Sequence, residues 1–568
     1  MFTWSVRQRV AAGVFVAAGL LFGLLGCGQP PTKPVAIVGE EADVVAAVAP
    51  LVANGSLELQ RVYPNPTAYM AEAPSDTFQL TATNVLTLQL YLANDQALQS
   101  LPNPQQVSNN STVDIATGDM PWLSYLPGQF LVSGDCGFVD ANGLDELDGI
   151  IMREMELLAP DVAWLRDERD ETIWRIRRYE TSDTPLRDAL PRLSSLDGCE
   201  DIAIRIEPNH LFMGGQGYIA GSPGGPIVSN APTPTPLPAP PVDPEVLPAG
   251  QGVHVIIFDT VPITDTVIVT GPVSLTTADG SAAISYDARY SLPDLLPRHH
   301  PEFKVRGHGT FVAHPVLRYA PAAKVRLVRV MNQFGYGDLF TWYQALTDFT
   351  ADPVLQDRNV MKGAVFNYSF VVILPDESSI PIVTSVPLTT TTILETVVLD
   401  LETLQIVQVA AAGNDAAPGG LPLATPPADR WPATDDHVLG VSAVTRSGDR
   451  ACYSNLGKVA APGGGISAAA GLCKTAVIVT QCAAPSAAAA SNCITGWDPT
   501  KEAGDSDVSW GLGTSFAAPH VTAMVTQYIA ANAMPGHWLY PVEVRSYIEN
   551  QVGVSSGPWA GLLFPSTP

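Results

Sequence analysis

A serine that follows a glycine-led turn is the clearest candidate for chemistry in this chain. Gly513-Thr514-Ser515 is followed at once by an apolar run from Ala518 to Ala531, whose alanine and valine content suits a helix buried on all sides. A hydroxyl at the start of such a helix lies at the positive end of the helix dipole, where developing negative charge is stabilised. The setting predicts a nucleophilic serine, although a bare Gly-Thr-Ser would be an ordinary helix cap.

The stretch from Gly513 to Val521 resembles the serine motif of the subtilisin-like serine proteases (subtilases), and the resemblance extends over about Gln251 to Pro541. It implies an exported serine endopeptidase that cleaves peptide bonds in protein or peptide substrates through an acyl-enzyme, made as a zymogen. The order of the motif residues is that of subtilases and not that of chymotrypsin-like enzymes or α/β-hydrolases. In chain order these residues are Asp259, His308, Asn414 and Ser515.

Two of these residues complete a triad with the serine, as the resemblance implies. Val253–Phe258 is a continuous apolar strand, and Asp259 follows it directly, at the position of the family's aspartate. That carboxylate would accept the Nδ1–H of a histidine and fix its tautomer. The stretch Gly307-His308-Gly309 resembles the histidine motif, so His308 is expected to open a helix with its Nε2 free to take a proton from Ser515.

An asparagine and two short segments complete the predicted site. Asn414 matches the family's oxyanion asparagine, whose side-chain NH₂ and the backbone N–H of Ser515 would hold the negative oxygen of a tetrahedral intermediate. Phe366–Phe370 resembles the strand that pairs with the substrate backbone, and a small-residue turn before Asn414 would form the floor of the specificity pocket. The predicted substrate-binding residues are Ser369, Phe370, Ala411, Ala412 and Gly413.

Three positions depart from the family pattern, because Val261, His314 and Val371 stand where glycine is usual. These departures support a second hypothesis, a catalytically silent surface binding protein on a subtilase scaffold, although all three triad residues and Asn414 are intact. Pro315 also predicts that the helix after His308 is short or kinked. A lipase or esterase is a third hypothesis, but the serine lacks the Gly-x-Ser-x-Gly elbow of those enzymes.

From Gln251 onward, short apolar strands alternate with helical stretches, which predicts an α/β fold with a parallel sheet flanked by helices. Working residues of such sheets lie at the carboxyl ends of the strands. The net charge of −26 argues against a nucleic-acid partner, which needs clustered Lys and Arg. No cofactor is required for the chemistry, and structural calcium is an expectation from the resemblance alone.

The region before this sheet predicts a small α+β, ferredoxin-like unit, with one helix over residues 144–158 and a second over residues 186–196. Its element order and its closing stretch Ile206–His210 resemble the inhibitory propeptide of subtilases, which covers the cleft until it is cut away. A generic α+β module is the alternative. The predicted division is a signal peptide over 1–27, a spacer or unassigned region over 28–121, the propeptide over 122–213, a Pro/Gly-rich linker over 214–250 that is open to cleavage, and the catalytic domain over 251–568.

The N-terminus predicts export. Arg7 and Arg9 precede an apolar run that ends in Leu24-Leu25-Gly26-Cys27, which resembles the bacterial lipoprotein box with Cys27 as the lipidated residue. An uncleaved membrane anchor is the alternative, and either reading places the bulk of the chain at the bacterial surface or beyond it. Six further cysteines favour disulfides in an exported chain, with Cys136 and Cys199 paired by position and the other four among themselves.

Overall fold

The computed structural model of the protein describes part of the chain. From residue 249 onward it describes residues 249–260, 273–276, 283–287, 308–331, 336–350, 361–372, 391–414, 431–445, 447–465, 494–497, 508–552 and 563. Before residue 249 it describes separate strands between residues 33 and 214 and residues 50, 51 and 53. The predicted signal segment with Cys27, the helix predicted over 186–196 and residues 215–248 of the linker therefore lie outside the described residues. Within the described residues, no helix combines the length and the apolar character needed to cross a bilayer.

The strands before residue 249 form antiparallel sheets and one parallel pair. In chain order they are β1 (Lys33–Val38), β2 (Glu58–Pro64), β3 (Thr67–Ala73), β4 (Gln79–Thr81), β5 (Thr87–Ala93), β6 (Gln105–Ser108), β7 (Thr112–Asp114), β8 (Trp122–Leu123), β9 (Tyr125–Ser133), β10 (Leu144–Leu147), β11 (Ile150–Leu158), β12 (Ile176–Thr181) and β13 (Arg205–Gly214). One sheet combines β1, β2, β3, β5, β6 and β8, and β4 pairs with β7. A second sheet has the order β10-β11-β12-β9-β13 and continues into the next part of the chain.

The helix predicted over residues 144–158 is wrong, because these residues form the antiparallel strands β10 and β11. Leu147 pairs with Ile150, so only Asp148 and Gly149 separate the two strands. An Asp-Gly pair is typical of two-residue hairpin turns, and this turn preference outweighs the helical spacing of the apolar residues. The strands predicted on either side are present as β9, β12 and β13, whereas the predicted ferredoxin-like order lacks its first helix.

The strands after residue 249 build an eight-stranded sheet and shorter pairs. In chain order they are β14 (Val253–Asp259), β15 (Val273–Thr276), β16 (Ala283–Asp287), β17 (Lys324–Arg329), β18 (Tyr336–Asp338), β19 (Gly363–Tyr368), β20 (Phe370–Val372), β21 (Ile406–Ala411), β22 (Val438–Val444), β23 (Val459–Pro462), β24 (Ile494–Trp497) and β25 (Val508–Gly511). The eight-stranded sheet has the order β15-β16-β17-β14-β19-β21-β22-β23. All its pairs are parallel except β15 with β16, which confirms the predicted parallel sheet.

Helices cover both faces of this sheet. In chain order the helices after residue 249 are α1 (His308–Tyr319), α2 (Leu339–Thr350), α3 (Thr392–Thr403), α4 (Thr514–Asn532) and α5 (Pro541–Asn550). Val253, Val255 and Ile257 of β14 pack in the same core as α1 and α4. Phe258, whose side chain points to the opposite face, meets Phe349 of α2 edge to face. A sheet covered on both sides explains why its strands are near-continuous apolar runs.

Helix α4 is the central element of one of these layers. All residues from Thr514 to Thr526 are buried, together with Ile529 and Ala530, as predicted for a helix that is apolar on every side. Helix α1 was predicted to be short or kinked at Pro315, but it continues through that residue to Tyr319 and is not short. The starts of α1 and α4 deliver His308 and Ser515 to the same edge of the sheet.

Candidate active site

The candidate site lies at the carboxyl ends of three neighbouring parallel strands. Asp259 is the last residue of β14, Ser369 follows β19, and Asn414 comes shortly after β21. In the sheet these strands are adjacent, in the order β14-β19-β21. The edge is the one at which α/β sheets hold their working groups, as the sequence predicted.

Asp259 and His308 are joined directly. Nδ1 of His308 lies 2.8 Å from Oδ1 and 2.9 Å from Oδ2 of Asp259, and both side chains are almost fully buried. An ionised carboxylate only accepts hydrogen bonds, so Nδ1 carries the proton and Nε2 is left as the basic nitrogen. Nε2 is buried and has no hydrogen-bond partner among the described residues.

The start of α1 is held close to the end of β14. The amide of Gly309 donates to Oγ1 of Thr260 at 3.2 Å, and the amide of Thr260 donates to Asp259. A Cβ on Gly309 would lie 2.3 Å from the carbonyl oxygen of Thr260 and 2.7 Å from Leu327. Only glycine therefore allows the helix to begin near enough to the strand for His308 to reach Asp259.

Ser515 is the second residue of α4 and is 1% exposed. Its hydroxyl donates to the backbone carbonyl of Ser369 at 3.3 Å. The imidazole of His308 lies against the ring of Phe516, with 5.1 Å between ring centroids. The structure thus places the predicted base against the residue that follows the predicted nucleophile, while the serine hydroxyl is bonded to Ser369.

The amide of Asn414 has a defined orientation. Its Oδ1 accepts the backbone N–H of Thr514 at 2.7 Å and the hydroxyl of Thr514 at 2.8 Å. A backbone N–H can only donate, so the atom that faces it must be the oxygen, and the NH₂ group is left for another acceptor. The Thr514 hydroxyl also accepts the N–H of Gly413 at 3.1 Å, which ties the asparagine turn to the serine turn. Sequence reasoning did not assign this role to Thr514.

The predicted substrate-binding residues fall into two groups. Ser369 and Phe370 are fully buried and stand before and within β20. Ala411 packs in the hydrophobic core, Ala412 is 1% exposed, and Gly413 has a positive φ of 97°. The structure brings all five to the same edge of the sheet as Asn414.

Strand β20 is already paired, because the end of β13 lies against it. Phe212 pairs with Val372 and Gly214 with Phe370, in antiparallel register. On its other side the same segment pairs with β18, where Leu211 faces Asp338. Phe212 and Met213 therefore lie between β18 and β20, at the edge that the sequence predicted for a substrate.

The side chain of Phe212 fills a gap beside these strands. Its ring stacks on Phe370 with centroids 4.3 Å apart, and Trp342 meets Phe370 edge to face. A Cβ on Gly337 would lie 2.4 Å from the Phe212 ring, so the absence of a side chain at position 337 makes room for it.

Polar residues of β13 reach into α2 and α3. Glu207 accepts the hydroxyl of Tyr343 at 2.9 Å and the amides of Ile393 and Leu394, in the first turn of α3, at 3.0 and 3.4 Å. Carboxylates are favoured at helix N-termini, where they satisfy free N–H groups. Burial raises the pKa of Glu207 to about 8, while these hydrogen bonds act in the opposite direction.

Asn209 forms a second buried contact. Its Nδ2 donates to Gln129 and to Asp338, both at 3.1 Å, and its Oδ1 accepts the amide of Phe340 at 3.1 Å. Asp338 in turn accepts the amide and the hydroxyl of Thr341. The residue types of this network were visible in the sequence, but the pairing of Asn209 with residues 80 to 131 positions away was not.

Other titratable groups near the site are structural. His520, on α4, has its Nδ1 at 2.9 Å from the carbonyl of Phe516, and burial lowers its pKa to about 4, so it is neutral. Among the described residues, no cluster of three or more His, Cys, Asp or Glu side chains could hold a metal ion, and calcium stays an expectation. Cys452 is disulfide-bonded, and the other cysteines of the predicted disulfides lie outside the described residues.

A match to one known protein family supports the resemblance. The family model of the subtilase family matches residues 297–558, which include His308, Asn414 and Ser515 and begin after Asp259. No curated protein matches the chain. Among solved structures, the chain is similar to a cold adapted subtilisin-like serine proteinase, with 19% identity, a TM-score of 0.35, and coverage of 60% of this chain and 96% of that one. Residues 297–558 are therefore similar to the subtilase family of serine peptidases.

Proposed function

We propose that the protein is a serine endopeptidase that uses Ser515, His308 and Asp259 as its triad and is made as a zymogen. The observation that carries the proposal is the bond between Asp259 and Nδ1 of His308, which leaves a buried Nε2 that has no hydrogen-bond partner among the described residues and lies next to the serine helix. An unsatisfied buried nitrogen costs stability, and such a cost is tolerated at functional sites.

The reaction follows from these positions. The Ser515 hydroxyl turns from the Ser369 carbonyl to Nε2 of His308, gives up its proton there and attacks the substrate carbonyl. The carboxylate of Asp259 stabilises the resulting imidazolium through its hydrogen bond to Nδ1. The proton then passes from His308 to the leaving amine, the peptide C–N bond breaks, and water hydrolyses the acyl-enzyme by the same steps in reverse.

The negative oxygen of the tetrahedral intermediate has two donors. One is the NH₂ group of Asn414, whose oxygen is fixed by Thr514. The other is the backbone N–H of Ser515, which lies in the first turn of α4, where helix N–H groups have no partner within the helix. Donors of this kind are preorganised, so no reorganisation is needed when the charge develops.

The pairing of β13 supports an inhibitory role for the region before the linker. Gly214 faces Phe370, the residue next to Ser369, so the end of β13 reaches the reaction centre in register. A strand added to this edge competes with any substrate that binds by strand addition. We infer that residues 122–213 are a propeptide and that cleavage within residues 214–250 opens the cleft.

The chemistry of the site does not indicate where the protein is located, so the proposed location rests on the N-terminal sequence. We propose that the chain is exported and anchored at the bacterial surface through a lipid on Cys27, or released after processing. Radioactive palmitate incorporated by the wild-type protein and not by Cys27→Ala would support the anchor, whereas equal incorporation would exclude Cys27 as the lipid site. Disulfides among the remaining cysteines belong to the same exported setting.

The decisive experiment is Ser515→Ala, tested by labelling with a fluorophosphonate probe and by hydrolysis of a peptide substrate. Both activities should disappear, while the exposed Ser447→Ala control keeps them. Labelling that persists in Ser515→Ala would contradict the assignment of the nucleophile. A processed wild-type protein that neither labels nor hydrolyses peptides would favour the catalytically silent binding protein.

A further inference from the structure

A chain of buried hydrogen bonds runs from the middle of α4 to the backbone of Ser515. The hydroxyl of Thr522 lies 2.8 Å from Oδ1 of Asn367, Nδ2 of Asn367 lies 2.9 Å from Oγ of Ser369, and that Oγ lies 3.1 Å from the carbonyl oxygen of Ser515. Asn367, Ser369 and Thr522 are each 0% exposed.

A proline explains why the carbonyl of Ser515 needs this partner. In an α-helix each carbonyl accepts the N–H of the residue four positions later. For Ser515 that residue is Pro519, which lies inside α4 and has no N–H. The hydroxyl of Ser369 supplies the missing donor from outside the helix.

The donor and the acceptor of each hydrogen bond in this series can be derived by starting from the carbonyl of Ser515. A carbonyl only accepts, so the Ser369 hydroxyl must donate to Ser515 and accept from Asn367. The NH₂ group of Asn367 therefore faces Ser369, its oxygen faces Thr522, and the Thr522 hydroxyl donates. All donors point the same way, an arrangement in which neighbouring hydrogen bonds strengthen one another.

Ser369 holds Ser515 at two points. Its hydroxyl binds the Ser515 carbonyl, and its own carbonyl accepts the Ser515 hydroxyl. The position of Ser369 therefore fixes the nucleophile relative to His308 and to Asn414. Small displacements of a reacting atom are costly in rate, since the gain from proximity depends on alignment.

We propose that Thr522, Asn367 and Ser369 form a positioning relay that sets the place of Ser515. The inference rests on the proposed peptidase function, but it concerns residues that the triad does not include. Thr522 acts through Asn367 and Ser369, so it is a positioning residue.

The test uses Thr522→Val, which removes the hydroxyl and keeps the shape. The matched control is Thr526→Val, one turn further along α4, where an equally buried hydroxyl donates to the Thr522 carbonyl at 2.7 Å and takes no part in the relay. Both variants are measured in the processed protein for kcat, KM and the rate of fluorophosphonate labelling, with thermal unfolding followed in parallel.

Loss of the relay should lower kcat and the labelling rate of Thr522→Val about tenfold with an unchanged KM, since one buried donor is removed. Thr526→Val should lose similar thermal stability and keep kcat within about twofold. Thr522→Ser, which restores the hydroxyl, should recover most of kcat relative to Thr522→Ala, and this second pair decides the matter if the valine variant fails to fold.

Equal kcat values for Thr522→Val and Thr526→Val, or for Thr522→Ser and Thr522→Ala, would overturn the relay. That result is distinct from failure of the proposed function, which would appear as labelling that survives in Ser515→Ala. The relay and the triad can therefore be rejected independently.

Discussion

The proposed reaction centre and the docked strand β13 are both buried and polar, but they are built differently. At the reaction centre, Asp259, His308 and Asn414 come from strand ends and a helix start within a single sheet region. At the docked strand, Glu207 and Asn209 reach from one part of the chain to α2, α3 and β18 in another. One set of contacts is internal to a folded unit, and the other joins two segments.

The two regions differ in which of their buried polar groups form hydrogen bonds. The side chains of Glu207 and Asn209 form hydrogen bonds, whereas Nε2 of His308 has no partner within the part of the chain that the structure describes. Polar contacts that can be solvated after separation are suited to a temporary interface. A buried nitrogen that lacks a hydrogen-bond partner, such as Nε2 of His308, is suited to a site whose partner is a bound substrate.

The largest expected loss of kcat comes from replacing either residue of the hydrogen-bonded pair Asp259 and His308. Asp259→Asn should lower kcat about ten-thousandfold, because the histidine would no longer be held in the tautomer that leaves Nε2 basic. His308→Ala should lower it by about a millionfold. Steady-state hydrolysis of a peptide by the processed protein measures both, and the exposed His537→Ala control should match the wild type. A loss below tenfold in either variant would remove these residues from the mechanism.

A smaller loss is expected at the oxyanion donor. Asn414→Ala removes the NH₂ group that Thr514 orients, which should lower kcat about a hundred- to a thousandfold while KM changes little. The exposed Asn532→Ala is the control. If KM rises while kcat is kept, Asn414 contributes to binding and not to the transition state.

The free energy of unfolding should depend on pH through Glu207, which lies on β13. Because its pKa is raised from 4.5 to about 8, chiefly by burial, the folded state holds a proton that the unfolded chain has lost between these values. Stability should fall as the pH rises through this window, by at most about 1.4 kcal/mol per pH unit, and should be level above it. Denaturant unfolding of the Ser515→Ala chain, which cannot process itself, measures this dependence.

Glu207→Gln is the matched variant for this measurement, since it keeps an oxygen that can accept the amides of Ile393 and Leu394. Its free energy of unfolding should change less with pH than that of the parent chain. Identical pH dependence in the two chains would show that another group titrates.

The smallest effect is expected from the aromatic contact of β13. Phe212→Leu keeps an apolar side chain beside Gly337 but loses the stack on Phe370, which should cost about 1 kcal/mol. Hydrogen exchange of the β13 amides in the Ser515→Ala chain should then be about fivefold faster. Unchanged exchange would mean that backbone pairing alone holds the strand.

Much of the site could be predicted because its signals are local. The apolar run before Asp259 became β14, the run after Ser515 became α4, and the residues between them reached one sheet edge. The hairpin at Asp148 and Gly149 was missed because apolar spacing was given more weight than turn chemistry. Helix α1 continues through Pro315, which shows that tertiary packing can override a local helix breaker.

The remaining features depend on contacts between distant parts of the chain. The pairing of β13 with β18 and β20, the capping of α3 by Glu207 and the bond from Ser369 to Ser515 each join residues more than a hundred positions apart. Local propensity and periodicity carry no record of such pairings. One feature of this set can be inferred from the sequence. Pro519 has no N–H, so the carbonyl of Ser515 lacks its usual partner within the helix.

The position of α4 after β13 in the chain has a consequence for synthesis. Chains emerge from the ribosome N-terminus first, so β13 exists long before the helix that carries Ser515 is complete. Helix α4 packs on β19, β21, β22 and α1, so the core beneath the sheet closes only when this late helix arrives. A newly made molecule therefore never completes the helix that carries the proposed nucleophile without already having made the strand that pairs with β20.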